Sequence, residues 1–158
     1  MKPHAFTLIE VLMAIVFITL AVIALVASNA AFTRGNAAGV ELSNAEFLIE
    51  QIKELTLQLP VVDPQTRTNV FGAEETLISA YDDLDDFNLK SYSPPIASNR
   101  QLLSSLASYR QIIYVRNVNS SNFQQVVANH SSPVVRVTVD IYHKGKKINS
   151  ASWIRARY

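Results

Sequence analysis

Apolar residues run almost unbroken from Phe6 to Phe32, with Glu10 as the one formal charge and Arg34 as the next. A helix rising about 1.5 Å per residue needs about 20 such residues to cross a hydrocarbon layer of about 30 Å. After Gly39 the pattern changes. Val40, Leu42, Ala45, Leu48, Ile49, Ile52, Leu55 and Leu59 recur at spacings of three and four, and Glu41, Glu46, Glu50, Lys53 and Glu54 mostly fill the other side. That periodicity predicts an amphipathic helix with one face in a core. No proline falls between Phe6 and Leu59, so both stretches are expected to form one helix, roughly 80 Å long if continuous. Pro60 ends it, because the residue before a proline is biased away from helical geometry. The Arg34-Gly35-Asn36 stretch, with Gly39, is where it could bend or melt locally.

Beyond Pro60 the pattern shortens. Residues 60–72 read as loop, and Ala73 to Leu84 as a short helix with Leu77, Ile78, Tyr81 and Leu84 on one face. Asn88 to Asn99 reads as loop around Pro94-Pro95, and Arg100 to Leu106 as a helical turn. Tyr109 to Val118 is a candidate strand. Val135, Val137, Val139 and Ile141 alternate with polar residues, as a half-buried strand requires. Lys144-Gly145 is a tight-turn signal, and Ile148 to Tyr158, carrying Trp153 and Ile154, returns as the partner strand. The expected fold is α+β: a long N-terminal α-helix packed on a C-terminal antiparallel sheet of three or more strands. The chain of 158 residues has room for one small domain beside a membrane segment. The expected divisions are a head at 1–5, a membrane helix at 6–32, its amphipathic continuation at 33–59 and a globular α+β domain at 60–158.

Composition adds constraints. There is no cysteine, which removes disulfides and thiolate metal sites. The net charge of +1 conceals an asymmetry. Eleven acids face three basic residues between Glu41 and Lys90, whereas six basic residues face one acid between Val134 and Tyr158. Such polarity orients a protein against copies of itself or an anionic partner. Lys2 precedes the apolar run and favours a cytoplasmic N-terminus. The run is longer than the core of a cleaved signal peptide. Glu10 costs about 2–4 kcal/mol if left unpaired in lipid, so it needs a counter-ion or a position shallow enough to reach water.

The candidate chemistry is limited. Asp82, Asp83, Asp85 and Asp86 offer oxygen ligands suited to calcium, although the spacing lacks the glycine turn and closing bidentate acid of a calcium loop. A solvated acidic turn is the ordinary expectation for such a run. His130 and His143 have no serine or carboxylate at a recognisable catalytic spacing. With no phosphate loop, dinucleotide fingerprint or zinc pattern, the chain reads as a non-enzyme. Lys144, Lys146, Lys147, Arg155 and Arg157, with Tyr142, Trp153 and Tyr158, form a basic terminal hairpin suited to DNA or another anion. Its ordinary reading is a charged sheet face, or a complement to the acidic region of a neighbouring subunit.

The segment Ala5-Phe6-Thr7-Leu8-Ile9-Glu10-Val11-Leu12-Met13-Ala14 is similar to the N-terminal processing and methylation motif of the type IV pilin and pseudopilin family. The resemblance covers about the first 30 residues, and the remainder resembles the family in architecture alone. It implies that a prepilin peptidase cuts between Ala5 and Phe6 and methylates the new amine of Phe6. It implies also that Glu10 pairs with the N-terminal ammonium of a neighbouring pilin or pseudopilin. The expected setting is a single-pass protein of the bacterial inner membrane with a periplasmic head, delivered through an inner-membrane assembly platform into a pilus or pseudopilus. Ala5 departs from the family's usual glycine before the cut. Thr19 and Ala27 stand where abundant pilins carry glycine and proline, and the disulfide-bounded loop common in those pilins is impossible here. These departures resemble a minor pilin or a secretion pseudopilin. The segment Tyr81–Phe87 is similar to minor pilins of the pilus-modification kind, including those of mannose-sensitive haemagglutinin pili. Calcium binding near the C-terminus of some pseudopilins keeps that cofactor in view. The alternatives are a displayed adhesin or DNA-capture subunit, and a bitopic membrane protein unrelated to pili.

Overall fold

The computed structural model describes residues 5–61, 63 and 71–157. They form one long helix, α1 (Leu8–Leu57), and five strands: β1 (Ser91–Tyr92), β2 (Tyr109–Asn119), β3 (Asn122–Val126), β4 (Val134–His143) and β5 (Lys146–Ala156). The chain divides between Val40 and Glu41 into two units.

The first unit is the N-terminal part of α1. Its apolar side chains are exposed all round, from Leu8 at 79% to Val40 at 61%. By length and composition the helix is capable of crossing a membrane. Its hydroxyls are satisfied within the helix: Thr19 Oγ1 donates to the Ile15 carbonyl at 2.7 Å and Thr33 Oγ1 to that of Asn29 at 2.9 Å. A side chain that bonds its own helix this way presents little unmet polarity to lipid. Helical structure continues without local melting through Gly35 and Gly39.

The second unit packs the C-terminal part of α1 on an antiparallel sheet of order β1-β2-β4-β5, with β3 paired to β2. Ala45, Leu48, Ile49, Ile52 and Leu55 meet Ile113, Val115, Val135, Val137, Val139 and Ile141 in one core. Odd-numbered residues of β2 and β4 face the helix, as a period of two requires, and the pairs Ile113 with Val139 and Val115 with Val137 lie opposite each other. The β4–β5 hairpin turns at Lys144-Gly145, where both residues take positive φ (49° and 83°), the geometry that matches strand twist. A register shift follows at Ile141/Tyr142, and β5 begins at Lys146, two residues before its expected start.

Gln111 is a buried polar residue at the centre of this packing. Its amide accepts from the Ile96 N–H at 2.8 Å and donates to the carbonyls of Leu48 at 3.0 Å and Ile96 at 3.2 Å, so strand, helix and connecting loop share one side chain. Helix α1 ends at Leu57, three residues short of Pro60.

Two expectations fail between helix and sheet. Residues 73–84 are not a helix; a turn at Leu77–Ala80 and a 3₁₀ turn at Asp85–Phe87 replace it. At the C-terminal end of the segment the backbone donors go elsewhere: the N–H groups of Asp82 and Asp83 bond the Asp86 side chain and that of Leu84 bonds the Pro60 carbonyl, and aspartate favours such local bonds over helix interiors. Likewise the helical turn at 100–106 shrinks to Ser104–Leu106.

Candidate functional site

Two carboxylate sites and the basic C-terminal residues carry the candidate chemistry. At the start of α1, Glu10 Oε2 accepts from the Thr7 N–H and the Thr7 hydroxyl, both at 2.8 Å, and the Glu10 N–H donates back to Thr7 Oγ1 at 3.3 Å. This is a capping box, which satisfies otherwise orphaned donors at a helix start. Its signature, threonine three residues before glutamate, was present in the sequence but masked by the demand for a counter-ion. One oxygen, Oε1, remains without a hydrogen bond among the described residues. Ile9, Met13, Ala14 and Phe17 share with exposed Glu10 an open apolar recess on one face of the helix. Ala5 and Phe6 lie just before the helix, with Phe6 exposed. Lys2 and His4 lie outside the described residues.

The aspartates before β1 are not a solvated turn. Asp83, Asp85 and Asp86 are buried, and Asp82 is half-buried. Asp83 Oδ1 accepts the N–H groups of Asp85 (2.9 Å) and Asp86 (3.2 Å), while Asp86 Oδ2 accepts those of Asp82 (2.9 Å) and Asp83 (3.2 Å). Gly72 N–H donates to Asp85 Oδ1 at 3.3 Å. Burial, then the neighbouring charge of Asp85, pushes the Asp83 carboxyl up to about 8. Burial likewise raises Asp85 to about 6, against the opposing hydrogen bond from Gly72. Desolvation followed by the charge of Asp86 raises Glu75. Among the described residues, Asp83, Asp85 and Asp86 make no ion pair with lysine or arginine.

The five basic residues do not gather into one patch. Lys144, Lys146 and Lys147 sit at the hairpin end, and Arg155 and Arg157 lie at the far end of β5, about 30 Å away at strand rise. Lys147 Nζ pairs with Asp140 at 2.7 Å. The Arg155 guanidinium donates to the carbonyls of Thr56 and, at 3.0 Å, Leu59, so it caps the end of α1. Arg157 borders a small recess with Phe71, Asn117 and His130. Sequence reading missed the basic side chains on the sheet face away from α1. There Arg110 lies over the Tyr142 ring at 4.8 Å and Arg116 over Tyr114 at 5.8 Å, while Arg136 donates to the Phe123 carbonyl at 3.0 Å. The parity of β2 was the available signal. The histidines have structural surroundings: His143 Nδ1 lies 3.3 Å from Glu41 and stacks on Tyr109, and His130 meets Phe71 edge-on.

The chain matches no family model, and no curated protein or solved structure is detectably similar to it.

Proposed function

We propose that this chain is a minor pilin or pseudopilin, a structural subunit that primes or joins a type IV pilus or pilus-like secretion filament. The observation that carries the reading is a single carboxylate at the head of an exposed apolar helix, with one of its two oxygens uncommitted. In this reading a prepilin peptidase removes residues 1–5, and Phe6 becomes the methylated N-terminus. The helix anchors the subunit in the inner membrane and later packs among other such helices, with the sheet domain outward. Glu10 then serves twice. Oε2 caps its own helix, and Oε1 receives the terminal ammonium of a neighbouring subunit, so a charge that is costly in lipid becomes a bias towards assembly. Partners follow from this: the peptidase, other pilins and an assembly platform. The dispersed basic residues give a DNA-capture role little support.

A second reading has its own observation. The capping box already gives Glu10 a local function, as expected of a bitopic anchor unrelated to filaments. Two variants separate the readings. Thr7→Ala removes the cap and leaves the carboxylate, whereas Glu10→Ala removes both. If Glu10 registers neighbours, Glu10→Ala inserts in membranes but loses most filament incorporation, measured by immunoblot of sheared filaments, while Thr7→Ala retains it. Equal behaviour of the two, or a native protein that still begins at Met1, refutes the assembly role.

A further inference from the structure

We infer that Asp83, Asp85 and Asp86 form a binding site for a hard divalent cation of the calcium class, with Asp86 as its central ligand. The three side chains are 1%, 2% and 1% exposed. They come from one short segment, and their ligand oxygens lie within 4.8 Å of one another. Oxygens that share one calcium ion at about 2.4 Å each lie no more than about 4.8 Å apart, so the three are close enough to hold one ion together. The donors are carboxylates alone, without imidazole or thiolate, which selects a hard cation over zinc or copper.

A second observation is independent of the clustering. Asp86 Oδ2 accepts two backbone N–H groups, but Asp86 Oδ1 is buried and has no hydrogen-bond partner among the described residues. A buried carboxylate oxygen without a donor is costly enough to be rare. Glu75 Oε2 is a second buried oxygen in the same condition, and Glu75 belongs with Glu74 and Asp86 to another carboxylate group of the same spacing. Acids brought this close repel one another unless a cation or protons lie between them. The segment is also tied to both structural layers. Leu84 N–H bonds the Pro60 carbonyl at 2.9 Å, and Asn88 Oδ1 accepts the Val115 N–H at 3.0 Å. A bound ion fastens the end of the helix connection to β2.

The test uses the full chain in detergent micelles, stripped with EDTA and titrated with calcium chloride or magnesium chloride. Calorimetry is expected to give about one calcium per chain with weaker magnesium binding, and the melting midpoint is expected to climb with calcium concentration. Asp86→Asn keeps an acceptor oxygen for the Asp82 and Asp83 N–H groups while replacing the orphan oxygen. It should weaken calcium binding about 10–100-fold, the range seen when a metal site loses even a supporting partner. Asp83→Asn should do the same, and the exposed-acid variant Glu50→Gln should retain full affinity. Should the asparagine variants misfold, terbium emission excited through tyrosine in the wild-type chain still reports the site, and calcium should extinguish it. No heat, no midpoint shift and no terbium emission up to about 10 mM calcium, beyond the weakest extracellular calcium modules, overturns the inference and leaves protons as the occupants. Undiminished calcium binding in both asparagine variants overturns it as well.

Discussion

Arg155→Met isolates the contact by which β5 closes the end of α1. In a continuing helix the Thr56 carbonyl would accept the N–H four residues on, but that residue is Pro60, which has none. The Arg155 guanidinium supplies the missing donor and reaches the Leu59 carbonyl as well. Thr56 is fully buried, so water is a poor substitute. Methionine keeps a stem of similar bulk and removes both donors. An unsatisfied buried carbonyl costs about 1–3 kcal/mol. Loss of a cation at a helix C-terminus adds about 0.3–1 kcal/mol. The Leu59 carbonyl, only partly buried, adds a smaller amount, and relief from ordering a long charged side chain offsets some of the total. The expected loss is about 1–4 kcal/mol. A domain the size of the second unit has about 6–18 kcal/mol at typical stability per residue, so the variant should fold and be measurably weaker. Urea unfolding of the full chain in micelles, followed through Trp153, the single tryptophan, should show a lower midpoint with unchanged slope. Lys147→Met, which removes a half-exposed partner from buried Asp140 but leaves its hydrogen bond from Ser150, should cost less than Arg155→Met. The decisive comparison adds Pro60→Ala, which restores a backbone donor for Thr56. In that background Arg155→Met should cost about half as much, a coupling read directly from a double-mutant cycle. An Arg155→Met protein within about 0.5 kcal/mol of the parent, or costs that simply add across the cycle, would refute the capping argument.

Two further outcomes follow from buried polar groups. Gln111→Leu should lower stability by about 2–4 kcal/mol in the same assay, because the N–H and carbonyl of buried Ile96 lose their partner together; a neutral result would mean that the loop repacks without it. In EDTA the chain should lose stability as pH rises from about 4 to about 8, by no more than about 1.4 kcal/mol per pH unit for each proton. The sign follows from Asp83, raised to about 8, and Asp85, raised to about 6. The folded state holds protons that the unfolded chain releases near the ordinary aspartate value of 3.8, and the charges of Glu74 and Asp86 reinforce the shift. Midpoints measured across that range that rise instead would contradict the burial of the cluster.

Much of the α+β layout was legible because its signals are local and redundant. The three-and-four spacing from Ala45 to Leu55 marks the buried stripe of α1, and alternation from Val135 to Ile141 marks the inner face of β4. Both are reinforced by every residue in them. The short strands β1 and β3 had no such support. Two residues at β1 cannot display a period, and all five residues of β3 are exposed, so no apolar alternation was available. The expected helix at 73–84 shows the opposite error: apolar spacing suggested a face, but the last donors of the segment, at Asp82, Asp83 and Leu84, bond the Asp86 side chain and the Pro60 carbonyl instead of a helix.

The acidic segment was misread for a reason that also explains its chemistry. Asp82-Asp83-Leu84-Asp85-Asp86 is hydrophilic when its residues are counted, and a charge run is normally solvated. Position matters more than the count. Tyr81, Leu84 and Phe87 recur every third residue and are all buried, with Tyr81 and Phe87 edge to face at 5.1 Å. Anchoring three apolar side chains in a seven-residue segment draws Asp83, Asp85 and Asp86 out of water and leaves Asp82 half-buried. Hydrophobic burial of about 1.5–3 kcal/mol for each large side chain can hold the segment in place, but it cannot neutralise the acids. Backbone N–H groups satisfy one oxygen each of Asp83 and Asp86, and the remaining negative charge still requires a proton or a cation. Glu10 poses the same physical problem at the other carboxylate site: a capping bond occupies one oxygen and leaves the second available. The apolar run around Glu10 disclosed that this acid was costly, whereas the burial of the aspartates, and the division of each carboxylate between an internal donor and an external partner, depended on backbone geometry.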